Sequence, residues 1–445
     1  MANINIDPIS GFPEFLPEEQ IVFNRVIEVI RSAYERAGAV PIETPAVERT
    51  TTLLAKGGTD KEIYGLRRLA AEEGDDEKDL ALHFDLTVPL ARYVAQHANR
   101  LVFPFRRYQI QPVWRGERAQ AGRYRQFYQC DIDVIGKDGL SLLNDAEIPF
   151  IMYQIFSELK IGHFFIRINN RKIMQAFFES KGADSNKAQK ALKIIDSLEK
   201  NGTGYVAEKL KDIGLDAHVD SILEFFSVSG SNEEILKYLK SQNINPLFEL
   251  GVEELSQVIK GVDNLGVPSD FYGIDLSIAR GLDYYTGTVY ETRLTGHSSL
   301  GSICSGGRFD NLASYFTDEK YPGVGMSIGL TRLLPKLFQL KILSPAPQTV
   351  ADVLVTSIES DRKFDYLKIG GKLRDAGINT EVYLEDKKLS AQMKYANKKG
   401  FRYTLLCGQK EFDENSIILR NMETGDEEIS FPSLISVLQH RLIRM

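Results

Sequence analysis

The strand-like stretch "RYRQFYQCDIDVI", residues 123–135, carries the side chains best suited to chemistry in this chain. Side chains alternate between the two faces of a strand, so this stretch has one apolar and one polar face. The apolar face carries Tyr128, Cys130, Ile132 and Val134, and the polar face carries Arg123, Arg125, Phe127, Gln129, Asp131 and Asp133. For the strand alone, a solvated outer face is the favoured interpretation of such alternation.

Two further stretches favour a polar ligand pocket instead. "RGLDYYTGTVYE", residues 280–291, places a cation, an acid and two tyrosines at the mouth of a predicted strand. By alternation, at most one of Tyr284 and Tyr285 can point into a pocket, and we expect Tyr284 to pack in the core. "LHFDLTVP" places Asp85 and Thr87 two residues apart, on one side of a predicted extended segment.

The loop "RGERAQAG", residues 115–122, is predicted to be the tip of a hairpin between "FRRYQIQPVW" and the polar strand. Arg115, Glu117, Arg118 and Arg123 bracket this tip. Guanidinium groups offer planar, bidentate donors to phosphate oxygens, so the spacing suits a bent polyphosphate. Phe127 could stack on a base. A solubilising charged loop with one aromatic in the core remains the alternative for each residue taken singly.

The elements that must position these residues belong to a multidomain chain. Its 445 residues predict two or three domains. Residues from about 182 to 262 are rich in Lys, Glu and Leu with helical periodicity, which indicates a helical insertion between β-rich parts. After the linker "SPAPQ", three strand-like runs alternate with two helical stretches, and two more strands and a helix follow.

Composition narrows the class of protein. A net charge of −7 argues against a purely electrostatic nucleic-acid binder but allows local basic faces. Cys130, Cys304 and Cys407 form no C-x-x-C pair, and no stretch approaches the length of a membrane span, so we expect a cytoplasmic protein. The six histidines form no H-E-x-x-H or comparable cluster, so a protein-bound metal is not predicted.

Three motifs together resemble the histidyl-tRNA synthetase family of class II aminoacyl-tRNA synthetases. They are "PVWRGERAQAGRYRQFYQCDIDVIG", "ARGLDYYTGTVYE" and "GVGMSIGLTRLL". "ETPAVE", with Pro45, resembles the dimer-interface motif of that class. The resemblance spans essentially the whole chain. It implies a multidomain α+β and α/β fold: a class II antiparallel sheet flanked by helices, a helical insertion, and a C-terminal α/β anticodon-binding domain.

The implied boundaries are 1–181 and 263–343 for the two parts of the catalytic domain, 182–262 for the insertion, and 350–445 for the anticodon-binding domain. The implied reaction joins histidine to ATP and then transfers histidine to the 3′ end of tRNA(His). Partners implied by the resemblance are L-histidine, ATP carrying Mg²⁺, tRNA(His), and a second copy of the chain in a homodimer. No membrane partner is expected.

The resemblance also implies roles for single residues. Arg115 and Arg280 are the catalytic cations. Histidine-binding residues are Asp85, Thr87, Gln129, Asp133, Arg280 and Tyr285, with the imidazole held by Asp133 and Tyr285. ATP-binding residues are Arg115, Glu117, Arg123, Tyr124, Phe127 and Arg332. Arg118 and Gln120 would reach the acceptor end of tRNA.

Some positions depart from the commonest bacterial pattern. Asp85 and Asp133 stand where many family members have Glu, Gly287 stands where many have Arg, and Phe309 stands where Tyr is usual. The shorter acids require the pocket to close in slightly or admit water.

A rival hypothesis is a synthetase-like regulatory subunit that binds histidine. Such paralogues typically lose the catalytic arginines or the anticodon-binding domain, and this chain retains Arg115, Arg280 and Arg332, so the enzyme is favoured.

Overall fold

The computed structural model describes residues 5–55, 62–69, 79–117, 123–278, 285–297 and 300–443. Contacts between Cα atoms divide the chain into two compact units. The first unit comprises Met1–Glu14 and Val26–Leu343, and the second comprises Phe15–Arg25 and Ser344–Met445. Within the described ranges, no helix combines the length and apolar character needed to cross a bilayer.

The first unit is built on a large, mostly antiparallel sheet. Its described strands are β1 (Val40–Pro41), β4 (Phe105–Trp114), β5 (Gln126–Ile135), β6 (Phe164–Asn170), β7 (Tyr272–Ile274), β8 (Thr288–Leu294), β9 (Ser302–Phe309) and β10 (Gly323–Gly329). They lie in the order β1-β4-β5-β10-β9-β8-β6-β7. A separate small pair joins β2 (Val47–Arg49) to β3 (Leu80–Leu82). The hairpin strand β5 is therefore central in the large sheet, between β4 and β10.

The pairing of β4 with β5 places the polar residues of both strands on one face. Arg107 lies opposite Asp133, Gln109 opposite Asp131, and Gln111 opposite Gln129. Residues directly opposite in an antiparallel pair project from the same face, so a slip of one residue would move the acids to the other face. On that other face, Cys130, Ile132 and Val134 are buried, and Tyr34 donates a hydrogen bond of 2.7 Å to the Cys130 carbonyl.

Helices flank this sheet and fill the insertion. They are α1 (Pro17–Arg36), α2 (Thr50–Leu54), α3 (Thr87–His97), α4 (Leu143–Glu158), α5 (Arg171–Ser180), α6 (Ser185–Ile195), α7 (Leu198–Asp212), α8 (Val219–Phe226), α9 (Asn232–Gln242), α10 (Pro246–Asn264) and α11 (Leu330–Gln339). Helix α10 approaches its neighbour α5 closely at Gly251, where an added Cβ would lie 2.9 Å from the Ile173 backbone nitrogen. This contact packs α10, the last helix of the insertion, against α5, which lies just before the insertion in the chain.

The second unit contains a five-stranded α/β sheet in its described part. Its elements are β11 (Val353–Val355), α12 (Lys363–Asp375), β12 (Thr380–Val382), α13 (Leu389–Lys399), β13 (Tyr403–Leu406), α14 (Gln409–Asp413), β14 (Ser416–Asn421), β15 (Gly425–Ser430) and α15 (Leu434–Ile443). The strand order is β12-β11-β13-β14-β15, with β12, β11 and β13 parallel. Buried Val353, Tyr366, Leu405 and Leu438 belong to its core.

The structure confirms the predicted hairpin, the helical insertion and the alternation of strands and helices after the linker. One local prediction is wrong. The segment with Asp85 and Thr87 is not extended, because β3 ends at Leu82 and α3 begins at Thr87. The Asp85 carboxylate accepts a hydrogen bond of 3.0 Å from the Val88 backbone nitrogen, which satisfies a donor in the first turn of the helix.

We predict that Asp145→Ala destabilises the first unit strongly. Asp145 is fully buried and accepts hydrogen bonds from Arg308, at 2.7 Å, and from Thr288. Loss of the carboxylate leaves the Arg308 charge buried without this partner, which costs about 3–5 kcal/mol. Urea unfolding measures the free energy. Glu158→Gln breaks the exposed pair with Arg36 and serves as the control, for which a loss of under about 1 kcal/mol is expected. If the two variants lost equal free energies of unfolding, the role assigned to the buried pair of Asp145 and Arg308 would be contradicted.

Candidate active site

A polar cleft of about 460 Å³ lies on the face of the sheet that carries the acids of β5. Every described residue that the sequence predicted for substrate binding lines it: Asp85, Thr87, Arg115, Glu117, Arg123, Tyr124, Phe127, Gln129, Asp133, Tyr285 and Arg332. Arg280, Arg118 and Gln120 lie outside the described residues, as does Tyr284. The fold thus brings together residues that are far apart in the chain.

The polar face of β5 is buried, so the favoured interpretation of this strand as a solvated outer face is wrong. Gln129, Asp131 and Asp133 are 8%, 3% and 5% exposed. Strand alternation shows which residues share a face of the sheet, but not whether that face is exposed. Here the walls of the cleft cover it. Buried acids are costly unless they are paired, so these side chains need partners from the protein or from a ligand.

A buried arginine beneath the cleft provides one partner. Arg107 is fully buried, and its Nη2 lies 2.7 Å from Asp133 Oδ2. Behind it, Gln109 donates a hydrogen bond of 2.9 Å to Thr44 Oγ1, and Gln111 donates one of 3.0 Å to Glu43. The arginine and the two amides follow one face of β4, so the Asp133 carboxylate rests on a continuous polar row that reaches the segment 43–44.

Two glycines leave the floor of the cleft bare beside Asp133. Gly325 of β10 lies directly opposite both Asp133 and Gly307 of β9. An added Cβ at Gly325 would clash with Asp133 Oδ1, and one at Gly307 would lie 2.8 Å from the Tyr285 ring. Asp133 Oδ1 and Tyr285 therefore lie over adjacent glycines, while the other carboxylate oxygen is held by Arg107. A flat ring with one hydrogen-bond donor and one acceptor fits between an acid and a phenol.

At the hairpin end of the cleft, cations and aromatics replace acids. The Arg115 Nε donates a hydrogen bond of 3.0 Å to the Phe84 carbonyl, and its guanidinium lies 5.1 Å from the centre of the Phe127 ring. Glu117 and Arg123 form an ion pair of 3.0 Å. Arg332 donates to the Leu300 carbonyl, and the neighbouring Thr331 accepts from the Tyr128 backbone nitrogen, which fixes the start of α11 on β5.

Burial dominates the electrostatics of the acids. It raises the pKa of Asp131 to about 7, against the opposing effect of the Arg107 charge and with a further contribution from Asp133. Burial also raises the pKa of Asp133, and Arg107 again opposes this shift. Burial therefore makes the charged form of each acid costly, and the Arg107 guanidinium offsets part of that cost.

Sequence reasoning gave no role to Arg107, Asp131 or Ser327. Ser327 lies opposite Asp131 on β10, and its hydroxyl accepts a hydrogen bond of 2.8 Å from Gln129. The sequence does contain a pattern that could have revealed this layer. Polar residues occupy alternate positions of β4, as they do in β5: Arg107, Gln109 and Gln111. In a hairpin, two polar alternations in register indicate a shared buried polar layer.

Carboxylates in this cleft do not form a metal cage of their own. Among the described residues, no three His, Cys, Asp or Glu side chains are grouped closely enough to hold a metal ion. Glu117 pairs with Arg123, and Glu291, which also lines the cleft, pairs with Arg167 and Arg293.

Comparisons with known proteins agree with this geometry. The family model for histidyl-tRNA synthetase matches residues 11–333, and that for an anticodon binding domain matches residues 352–441. A histidine–tRNA ligase of Clostridium tetani is 47% identical over 97% of this chain and 98% of its own length. The crystal structure of histidyl-tRNA synthetase from Nostoc sp. PCC 7120 superposes with a TM-score of 0.91 at 44% identity, covering 99% of this chain and 100% of that one.

A structure described as an ATP phosphoribosyltransferase regulatory subunit/histidyl-tRNA synthetase from Bacillus halodurans C shares the fold, with a TM-score of 0.73 at 21% identity, over 88% of this chain and 97% of that chain. The antiparallel sheet with its polar cleft, together with the C-terminal α/β domain, is the architecture of a class II aminoacyl-tRNA synthetase. Within that class, the chain belongs to the histidyl-tRNA synthetase family.

We predict that Gly325→Ala destabilises the protein, whereas Gly329→Ala does not. A Cβ at Gly325 would clash with Asp133 Oδ1 and with the Ile132 carbonyl, and such overpacking costs about 1–3 kcal/mol. Gly329, at the end of the same strand, has no atom within 4 Å of an added Cβ and has a negative φ of −81°. Urea unfolding of both variants measures the difference. Similar midpoints would show that the floor tolerates a methyl group.

Proposed function

We propose that the polar cleft is the catalytic centre of a histidine–tRNA ligase. The reaction activates histidine with ATP to histidyl-adenylate and pyrophosphate, and then transfers histidine to the 3′ end of tRNA(His). The observation that carries this proposal is the arrangement of Asp133 and Tyr285 over the bare glycines, at the opposite end of the cleft from Arg115. The family relationship supports the same reaction.

In this proposal the acid end of the cleft selects the amino acid. Asp133 accepts the N–H of a neutral imidazole through the oxygen that Arg107 does not hold, and the Tyr285 hydroxyl donates to the other ring nitrogen. Asp85, Thr87 and Gln129 bind the α-amino group. A pocket of buried polar groups rejects apolar analogues strongly, because an analogue would leave those groups unpaired. Histidine is thereby distinguished from amino acids of similar size.

The hairpin end binds ATP, with Glu117, Arg123 and Tyr124 around the nucleotide. Phe127 and Arg332 enclose the adenine, and Arg115 lies where the α-phosphate meets the histidine carboxylate. A carboxylate oxygen attacks the α-phosphorus, and pyrophosphate leaves with the electron pair of the broken P–O bond. The two reacting groups are negatively charged, so Arg115 and Arg280 stabilise the transition state between them. Mg²⁺ enters with the phosphates of ATP and neutralises part of their charge.

Transfer to tRNA uses surfaces beyond the cleft. We assign residues 1–181 and 263–343 to catalysis, residues 182–262 to clamping the acceptor stem, and residues 350–445 to the anticodon. Arg118 and Gln120 at the hairpin tip reach the acceptor end.

The basic residues of the last domain proposed to face RNA are Lys387, Lys388, Lys394, Lys398, Lys399 and Arg402. Lys399 also contacts the Tyr395 ring and Glu381, so it contributes less than a free lysine would.

We further infer a cytoplasmic homodimer. Within the segment that resembles the dimer-interface motif, Pro45 and Val47 are exposed, and Val40 of β1, just before it, is exposed as well. Exposed apolar groups beside a short edge strand favour coverage by another chain. A second copy would place its own segment against this one across a two-fold axis.

We predict that histidine, and no other amino acid, supports exchange of labelled pyrophosphate into ATP. Arg115→Lys keeps a charge but loses the planar fork that contacts the Phe84 carbonyl and the Phe127 ring, so kcat falls by about 10²–10³-fold. Arg36→Lys, at an exposed position, is the matched control and should exchange normally. Binding of histidine without exchange by the wild type would instead favour a regulatory subunit.

We also predict that Asp133→Asn raises KM for histidine by at least about 10-fold while KM for ATP stays nearly constant. The neutral amide removes a charged hydrogen-bond acceptor for the ring and leaves Arg107 without its ion pair. Pyrophosphate exchange at varied histidine and varied ATP separates the two constants. Asp138→Asn, in the turn after β5, is the control, since asparagine tolerates its positive φ of 64°. Equal changes in both constants would argue against a role in amino-acid selection.

A further inference from the structure

Asp131 is a buried acid of the cleft that no role so far described uses. It lies between Gln129 and Asp133 on the inward face of β5 and lines the cleft. Its Oδ1 atom has no hydrogen-bond partner among the residues that the structure describes, and the same is true of Gln129 Oε1. Two neighbouring acceptors therefore point to a ligand that brings hydrogen-bond donors.

The charges around Asp131 favour a cationic donor. The groups that affect it most are Arg107 of β4, Asp133 of β5, Ser327 of β10 and Asp85 before α3. Arg107 forms its ion pair with Asp133, not with Asp131. The acids in this part of the described cleft outnumber the arginine, and a positively charged ligand group would offset the excess.

The chemistry of the substrate identifies which of its groups this would be. A neutral imidazole carries one N–H, and Asp133 accepts it in the proposed function. The α-ammonium group carries three N–H donors and one positive charge, and it is the cationic group of an amino acid whose ring is neutral. Asp131 Oδ1 and Gln129 Oε1 both have no hydrogen-bond partner among the described residues, and an ammonium group can donate to both of them.

We propose that Asp131 is a further substrate-specificity residue, whose Oδ1 accepts a hydrogen bond from the α-ammonium group of the amino acid. The inference rests on the proposed function, because it takes the amino acid to be histidine bound with its ring at Asp133. Ser327 and Gln109, which lie opposite Asp131 on the two neighbouring strands, flank the carboxylate at this point of the floor.

The test compares two inhibitors of pyrophosphate exchange in the wild type and in Asp131→Asn. Histidinol has the ammonium group and the ring, whereas 3-(imidazol-4-yl)propanoate has the ring and lacks the amino group. In the variant we expect KM for histidine and the inhibition constant of histidinol to rise by about 10- to 100-fold, the loss that one charged hydrogen bond produces. The inhibition constant of the propanoate and KM for ATP should stay within about twofold of wild type.

Glu147→Gln is the control for removal of a negative charge, since Glu147 pairs with Arg106 of β4 outside the cleft lining and should change none of these constants. Equal weakening of both inhibitors, or no change in either, overturns the inference. If Asp131→Asn does not fold, Asp131→Ala gives the same ratio of inhibition constants. Failure of the wild type to exchange with histidine would sink the proposed function itself, so the two failures are distinguishable.

Discussion

The ion pair between Arg107 and Asp133 is the interaction on which the cleft depends. A buried carboxylate in the middle of a sheet is costly, and the fully buried guanidinium 2.7 Å away offsets much of that cost. This pair requires β4 beside β5 in one register, because the arginine and the acid must face the same side. The amides behind Arg107 extend the constraint to Thr44, so the floor of the site and the segment that resembles the dimer interface share one polar layer.

A second constraint is the absence of side chains at Gly325 and Gly307. These glycines face each other across β10 and β9, and the space that they leave is filled by the Asp133 carboxylate and the Tyr285 ring. A polar pocket needs both a supported acid and an open floor beside it. The same strands therefore carry glycine beneath Asp133 and Tyr285, and apolar residues such as Val324 and Ile328 on the opposite, packed face.

Much of the fold and of the site was predictable from sequence. The hairpin followed from local periodicity, and the roles of single residues were implied by the family resemblance. The hairpin and the placement of Phe127, Gln129 and Asp133 on one face of the strand followed directly from a period of two. The burial of that face could not be predicted in the same way, because alternation along a strand does not show which elements cover it. The start of α3 at Thr87 was also missed, because Asp85 acts through the Val88 backbone and not through a hydrophobic pattern. Arg107 was missed for a related reason: its partner is 26 positions away and visible only in register.

The two acids of β5 divide a task that a single acid could not perform. Asp133 is paired with Arg107, which fixes its orientation, and in the proposed function it accepts the N–H of a neutral ring. Asp131 has no such partner for Oδ1 among the described residues, and burial raises its pKa to about 7. In the proposed roles, Asp133 accepts the ring N–H and Asp131 accepts a hydrogen bond from the ammonium group, so a ligand that carries both groups satisfies the two acids together.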